Sequence, residues 1–176
     1  MPELAFISLG SNIEPEKSLP LGTKRLGELG RMIGISTVYQ NPAVGPTPQP
    51  DFLNAAALIE TDLSAKDIRH HLRRIEADSN RVRTQDKYAP RTLDLDLCLL
   101  GSQVIEGSEF TLPDPDLLTR AHLAVPMAEL APSFLHPTSG ETLQTIADRL
   151  RPEASLKPRP ELTDRLRRIL LELGSS

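Results

Sequence analysis

Seven consecutive residues, Leu93-Asp94-Leu95-Asp96-Leu97-Cys98-Leu99, constrain this chain more than any other stretch. Leucine at every odd position and a polar or small residue at every even one is a period of two, which describes a β-strand with one face in a core. The even face then carries Asp94, Asp96 and Cys98 together. Residues i and i+2 of a strand stand roughly 6.5 to 7 Å apart at Cα, so two carboxylates so placed can ligate one hard cation or flank a pair. Without a cation they repel, and one of them resists ionisation. An isolated Asp-x-Asp also fits the wet side of a half-exposed strand, and only the surroundings decide between the two.

The remaining segments supply partners for that strand. Leu4 to Leu9 is an apolar run closed by Gly10-Ser11-Asn12, which predicts a strand ending in a turn. Residues 14–30 predict a helix, Ile33 to Tyr39 a second strand, and Asn41 to Asp51, with four prolines and Gly45, a loop. Phe52 to Glu60 is a third strand. Ser64 is placed to cap a helix running to about Asp78, with Ile68, Leu72 and Ile75 at i, i+4 and i+7. Beyond Leu100 come short apolar pieces at Val104-Ile105 and Phe110 to Leu112, then a proline-punctuated stretch from Pro113 to Pro137. A helix near Glu141 to Arg151, a linker and an amphipathic helix over Leu162 to Leu173 complete the chain. Strand, helix, strand, strand, helix, strand predicts an α+β fold, a ferredoxin-like sandwich of mainly antiparallel sheet with helices on one face. The expected organisation is one domain over residues 1–151, with linker and C-terminal helix over 152–176.

Composition agrees with one modest core. The chain has 176 residues, 39% hydrophobic but only 3% aromatic and without Trp, so Leu, Ile, Val and Ala must fill the interior. A net charge of -4 and a pI near 5.6 argue against a surface adapted to nucleic acid or anionic lipid. Cys98 is the single cysteine, Met1 to Asn12 lacks a basic and long apolar leader, and no apolar run approaches the roughly 20 residues of a bilayer span. A cytoplasmic protein is expected, with no membrane or nucleic-acid partner. A monomer is the expected state, and Leu166, Ile169 and Leu170 of the last helix offer a route to self-association.

Positive charge is concentrated just before the carboxylate pair. Between Arg69 and Arg91 seven basic residues (Arg69, Arg73, Arg74, Arg81, Arg83, Lys87, Arg91) stand against three acids. Guanidinium forks suit phosphate oxygens, and magnesium held by aspartates suits them too, so a nucleoside triphosphate is the shared ligand. Arg69 and Arg74 also fit a solvated helix face. The usual phosphate motif is missing: Gly22 and Gly27 have P-loop spacing, but Glu28 and Leu29 follow where Lys and Ser or Thr are required. His70, His71, His122 and His136 have no zinc-ligand spacing.

Leu9-Gly10-Ser11-Asn12, Pro42 to Asn54, Arg81-Val82-Arg83 and Pro90-Arg91-Thr92-Leu93-Asp94-Leu95-Asp96 together resemble the 6-hydroxymethyl-7,8-dihydropterin pyrophosphokinases of folate biosynthesis. The resemblance is in order and spans residues 4 to about 137. It implies that Asp94 and Asp96 bind two magnesium ions bridging ATP and the pterin hydroxyl, with Arg81 and Arg91 also catalytic. It implies nucleotide contacts from Arg73, Glu76, Arg83, Tyr88, Arg91, Leu97, Thr111, Asp114 and Arg120. For the pterin it implies Asn41, Pro42, Val44, Gly45, Phe52, Asn54 and His122. Several positions depart from the family pattern: Asp114 replaces an expected histidine, His122 an expected aromatic residue, Asn80 and Ala89 expected glycines, and Glu109 an expected basic residue. Two other readings use the same residues, namely another two-metal phosphoryl or nucleotidyl transferase and a non-enzymatic ferredoxin-like binding module.

Overall fold

The computed structural model describes residues 1–43, 45–79 and 92–174. Its elements are β1 (Glu3–Ser11), α1 (Pro15–Leu26), β2 (Arg31–Ile35), β3 (Tyr39–Asn41), β4 (Phe52–Thr61), α2 (Ala65–Asp78), β5 (Asp94–Leu100), β6 (Ile105–Glu106), β7 (Thr111–Leu112), α3 (Ala121–Leu130), α4 (Leu143–Leu150), β8 (Lys157–Pro158) and α5 (Pro160–Gly174). The main sheet runs β5-β1-β4-β3-β8, with β2 also paired to β4, and all of these pairings are antiparallel. With α1 between β1 and β2 and α2 between β4 and β5, this is the predicted ferredoxin-like arrangement. The expected second strand is interrupted: Ser36 to Val38 separate β2 from β3, and Ser36 Oγ accepts the backbone N–H of Ala56 there.

Helices cover both faces of the sheet, where the sequence predicted one. On the first face Ile7, Leu9, Ala57, Ile59, Leu95 and Leu97 meet Leu19 and Leu26 of α1, Ile68, Leu72 and Ile75 of α2, and Leu162 and Leu166 of α5. On the second, Phe6, Ala56, Leu58 and Leu99 meet Val125 and Met127 of α3 and Ile146 of α4. α3 lay hidden in the proline-punctuated stretch. It contains Pro126 and a run of buried residues from Ala124 to Ala128, so it has no polar stripe to mark a helical period.

α2 is the helix the sequence describes best. Ser64 Oγ accepts the N–H of Asp67 at 3.1 Å, a cap worth about 1 kcal/mol, and Ile68, Leu72 and Ile75 are all buried. β5 departs from strict alternation at one point. Phe6 pairs with Leu99 and Ile7 with Leu97, so Cys98 is an extra residue, a bulge. Leu99 consequently crosses to the second core, while Leu100 takes its place in the first.

The C-terminal segment belongs to the same body. β8 extends the sheet beside β3, and α5 lies against α1 and β2 with Leu162, Thr163 and Leu166 buried. No described helix is long and apolar enough to cross a membrane.

Candidate active site

α3 and α4 cover only part of the second sheet face, and the uncovered part is the cleft. Even-numbered residues of β1, β4 and β5 point to it. The pairing sets Asp94 opposite Gly10 and Gly10 opposite Asn54, with Asp96 opposite Ser8 one step along. Strands lie about 4.8 Å apart, so the Asp94 and Asn54 backbones stand about 10 Å from one another across the glycine. Gly10 and Ser8 keep the floor low. A Cβ at position 10 would sit 2.7 Å from Asn54 Oδ1. The resulting cleft, about 280 Å³, is lined by Ser8, Gly10, Asn41, Pro42, Phe52, Asn54, Asp94, Asp96, Asp114, Asp116, Arg120, His122 and Leu123.

At one end are the carboxylates. Asp96 is held at about 6, above the usual carboxylate range, first by burial and then by the charge of Asp94, with Arg73 opposing both. Arg73 reaches Asp96 Oδ1 at 3.3 Å. Asp114 joins them from the segment after β7, where its N–H donates to the Cys98 carbonyl at 2.9 Å and its Oδ1 accepts the Asp116 N–H at 2.9 Å. Burial raises its carboxyl too, and the Asp94 charge adds to the effect. The Cys98 thiol, wholly buried with its Sγ 4.0 Å from Asp114 Oδ2, is pushed well up by that burial.

At the other end are flat and amide groups. Asn54 Nδ2 donates to Asn41 Oδ1 at 2.6 Å, which fixes both amides and leaves the Asn54 side chain facing the cleft. Phe52 lies one step along the same face, and His122 stands on the first turn of α3. Burial, and after it the Arg120 guanidinium, lowers the His122 imidazole to about 4, so it is neutral near pH 7. Arg120 itself is 3.8 Å from Asp116 through Nε and Oδ2.

Arg73 and Glu76 sit behind the carboxylates rather than in the cleft lining. β5 is an edge strand, and Leu95 turns its peptide groups away from β1. Glu76 Oε2 accepts the Leu95 N–H at 2.8 Å, Arg73 Nη1 donates to the Leu95 carbonyl at 3.1 Å, and the two side chains pair at 2.8 Å. Among the described residues no strand flanks β5 on that side, and two residues of a helix stand in for one. The resemblance implied nucleotide contacts for both residues; their use here depends on which strand is the edge. On that flank a second cavity is lined by Arg69, Arg73, Glu109 and Phe110, with the Arg69 guanidinium 5.2 Å from the Phe110 ring.

Of the residues expected at the site, the fold gathers Asn41, Pro42, Phe52, Asn54, Asp94, Asp96, Asp114, Arg120 and His122 around one cleft. Leu97 turns its side chain into the first core, Thr111 is exposed on β7, and Gly45 is exposed in the loop before β4. Val44, Arg81, Arg83, Tyr88 and Arg91 lie outside the described residues, as do Asn80 and Ala89. Ser8 and Asp116 were not anticipated. The alternation of β1 with Gly10 could have pointed to Ser8, while Asp116 follows only from the turn after β7.

Comparison with known proteins agrees with this geometry. Residues 6–132 match the family described as 7,8-dihydro-6-hydroxymethylpterin-pyrophosphokinase. A 2-amino-4-hydroxy-6-hydroxymethyldihydropteridine pyrophosphokinase of Haemophilus influenzae is 37% identical over 138 residues, which is 77% of this chain and 86% of that one. The protein of the same name in Aquifex aeolicus is 30% identical over 154 residues, covering 87% and 93%. Among solved structures, wild-type Plasmodium falciparum HPPK-DHPS with pterin and p-hydroxybenzoate superposes with a TM-score of 0.65 at 13% identity. That alignment covers 85% of this chain but 43% of the longer one, and at such identity it speaks for the fold. With a matched region that contains most of β1, all of β2 to β7, both carboxylates and the Asn54 amide, the chain belongs to the 7,8-dihydro-6-hydroxymethylpterin-pyrophosphokinase family.

Proposed function

We propose that this chain transfers pyrophosphate from ATP to 6-hydroxymethyl-7,8-dihydropterin, releasing AMP, as a step of folate biosynthesis. The observation that carries the reading is the pairing of Asp94 and Asn54 across Gly10. It puts a charge-bearing end and a ring-recognising end on one open sheet face, about 10 Å apart. The Asn54 amide has both a donor and an acceptor for the amino and oxo edge of a pterin. Phe52 and the neutral His122 offer flat faces to the ring between them.

In the reaction the pterin hydroxyl oxygen bonds to the β-phosphorus of ATP, and the bond from that phosphorus to the oxygen bridging to the α-phosphorus breaks. The hydroxyl proton is released, and AMP leaves with the bridging oxygen. The protein's part is to orient and to balance charge. Asn41 holds Asn54, which fixes the ring edge. Arg120, at the start of α3 on the cleft wall, faces the phosphates. Arg73 and Glu76 position Asp96 and the β5 backbone. Arg81, Arg83 and Arg91 belong to the same nucleotide-binding set by family resemblance, with Tyr88, Leu97 and Thr111.

The donor set fits magnesium. Asp94 and Asp96 present hard carboxylate oxygens on one face, and burial together with the Asp94 charge raises the Asp96 carboxyl, a strain that a bound cation would relieve. Two ions held there would make the substrate hydroxyl more acidic and neutralise phosphate charge. Asp114 lies close enough to this charge to weaken triphosphate binding. We place the enzyme in the cytoplasm, in keeping with its single, buried and unpaired cysteine. We read it as a monomer whose last helix is occupied by its own domain.

Incubation with ATP, magnesium and the hydroxymethyl pterin tests the reading directly. AMP should form in step with pterin consumption. ADP would point to an ordinary kinase and free pyrophosphate to a nucleotidyl transferase, and no product above a boiled control would end the proposal. Asp94→Asn or Asp96→Asn should abolish turnover, and Asp96→Asn should do so without lowering Tm, since it removes a charge that burial and the neighbouring Asp94 disfavour.

A further inference from the structure

Residues beyond 132 fall outside the family match, yet the last segment reaches the base of the cleft. β8 pairs with Tyr39 and Gln40, the two residues before Asn41. Arg159, next in the chain, donates its backbone N–H to the Val38 carbonyl at 2.8 Å. Its guanidinium then reaches two elements: Nη1 donates to Gln40 Oε1 of β3 at 3.1 Å and Nη2 to Glu16 Oε1 of α1 at 3.2 Å. Gln40 passes the constraint on, because its Nε2 donates to Asp51 Oδ2 at 2.9 Å.

The amide chemistry makes this relay directional. A guanidinium is only a donor and a carboxylate only an acceptor. Arg159 therefore requires the Gln40 oxygen on its own side, which turns the nitrogen toward Asp51. Asp51 selects the same orientation from the other end, so without Arg159 the Gln40 amide is held at its nitrogen alone and the side chain loses its second anchor. Gln40 adjoins Asn41, and Asp51 adjoins Phe52; Asn41 and Phe52 are register partners and both line the cleft. The relay thus ties together the two ends of the loop over residues 42–51. Nearby, Ala154, Ser155 and Leu156 close a second cavity of about 310 Å³ that shares Asn41, Pro42, Arg120 and His122 with the cleft.

We propose that Arg159 is a positioning residue for the pterin subsite, acting through Gln40 and Asp51 on Asn41 and Phe52. The proposal rests on the assignment of Asn54, Asn41 and Phe52 to the pterin. Arg159→Ala should raise the KM for the pterin on the order of tenfold, because small displacements of orienting groups are costly in this way, while the KM for ATP stays within twofold. Arg159→Lys should restore part of the loss.

Two further variants separate the possible failures. Arg167→Ala removes another link from the tail to the sheet, the 3.3 Å bond from Nε to the Ile35 carbonyl, away from the loop ends. It should leave both KM values unchanged. Asn54→Ala should raise the pterin KM on its own. If it does and Arg159→Ala does not, or if Arg159→Ala raises both KM values equally, the role of Arg159 is overturned. If Asn54→Ala has no effect on the pterin, the subsite assignment falls, and the proposal falls with it.

Discussion

Replacing Glu76 by Gln separates a residue that binds nucleotide from one that builds the strand edge. The Glu76 side chain is 2% exposed and both of its oxygens are used, one by the Leu95 N–H and the other by Arg73. An amide of the same shape keeps one acceptor and turns an N–H₂ toward the other donor. If the amide keeps the buried Leu95 N–H, the charge-assisted pair to a partly exposed guanidinium is lost, at roughly 1 kcal/mol; if it keeps Arg73, the Leu95 N–H is left unsatisfied, at about 1–3 kcal/mol. A loss of about 1–3 kcal/mol corresponds to a fall in Tm of roughly 2 to 12 °C for a chain of this size. Arg73, freed on one side, would also hold Asp96 less firmly, so kcat should fall on the order of tenfold. Thermal unfolding followed by circular dichroism, with and without ATP, gives the first quantity, and AMP release gives the second. An unchanged Tm with a raised KM for ATP would refute the reasoning and place Glu76 on the nucleotide.

Gly10→Ala should raise the KM for the pterin about tenfold with little change in Tm. The new Cβ meets the movable end of Asn54 rather than backbone, so the cost falls on recognition; steady-state kinetics read it, and equal effects on both substrates would argue against it. The His122 imidazole should titrate near pH 4 by NMR and stay neutral at pH 6, whereas a midpoint above 6 would contradict its burial. Its lowered value means that folding is opposed by His122 as pH falls from about 6.5 toward 4. The raised carboxyls of Asp96 and Asp114 act in the opposite sense, so the site-specific titration is the cleaner measurement. Asp114→Asn keeps the cap on the turn over Pro115–Leu118 but removes a charge from the cleft. The KM for ATP should fall at constant Tm, and a rise would mean that Asp114 has a positive role toward the nucleotide.

What could be read from the sequence was what short periods determine. The alternation of Leu93 to Leu97 put Asp94 and Asp96 on one face, and the Ser64 cap with its apolar triplet described α2 to the residue. α3 could not be seen, because a helix buried on most sides offers no amphipathic period and Pro126 argued for a break. The division of labour between Arg73, behind the strand, and Arg120, in the cleft lining, was also hidden. It follows from β5 being at the edge of the sheet, and edge status is a property of the assembled strands. Asn54 and Asp94 lie 40 positions apart, and only the register through Gly10 makes them neighbours across the cleft. Family resemblance named both residues without supplying that geometry.

The substitution of helix side chains for a strand at Leu95 has a counterpart at the opposite margin of the sheet. There β8 occupies the outer side of β3, and Arg167 of α5 takes the Ile35 carbonyl. Bare strand margins recruit other chains, and in this protein one margin is closed by α2 and the other by β8 and α5. A truncation before Lys157 would uncover Tyr39 and Gln40 as an open template. Its first symptom would be clumping at high protein concentration, seen by light scattering while dilute enzyme still turns over. That result would give the tail a role in solubility beside its packing.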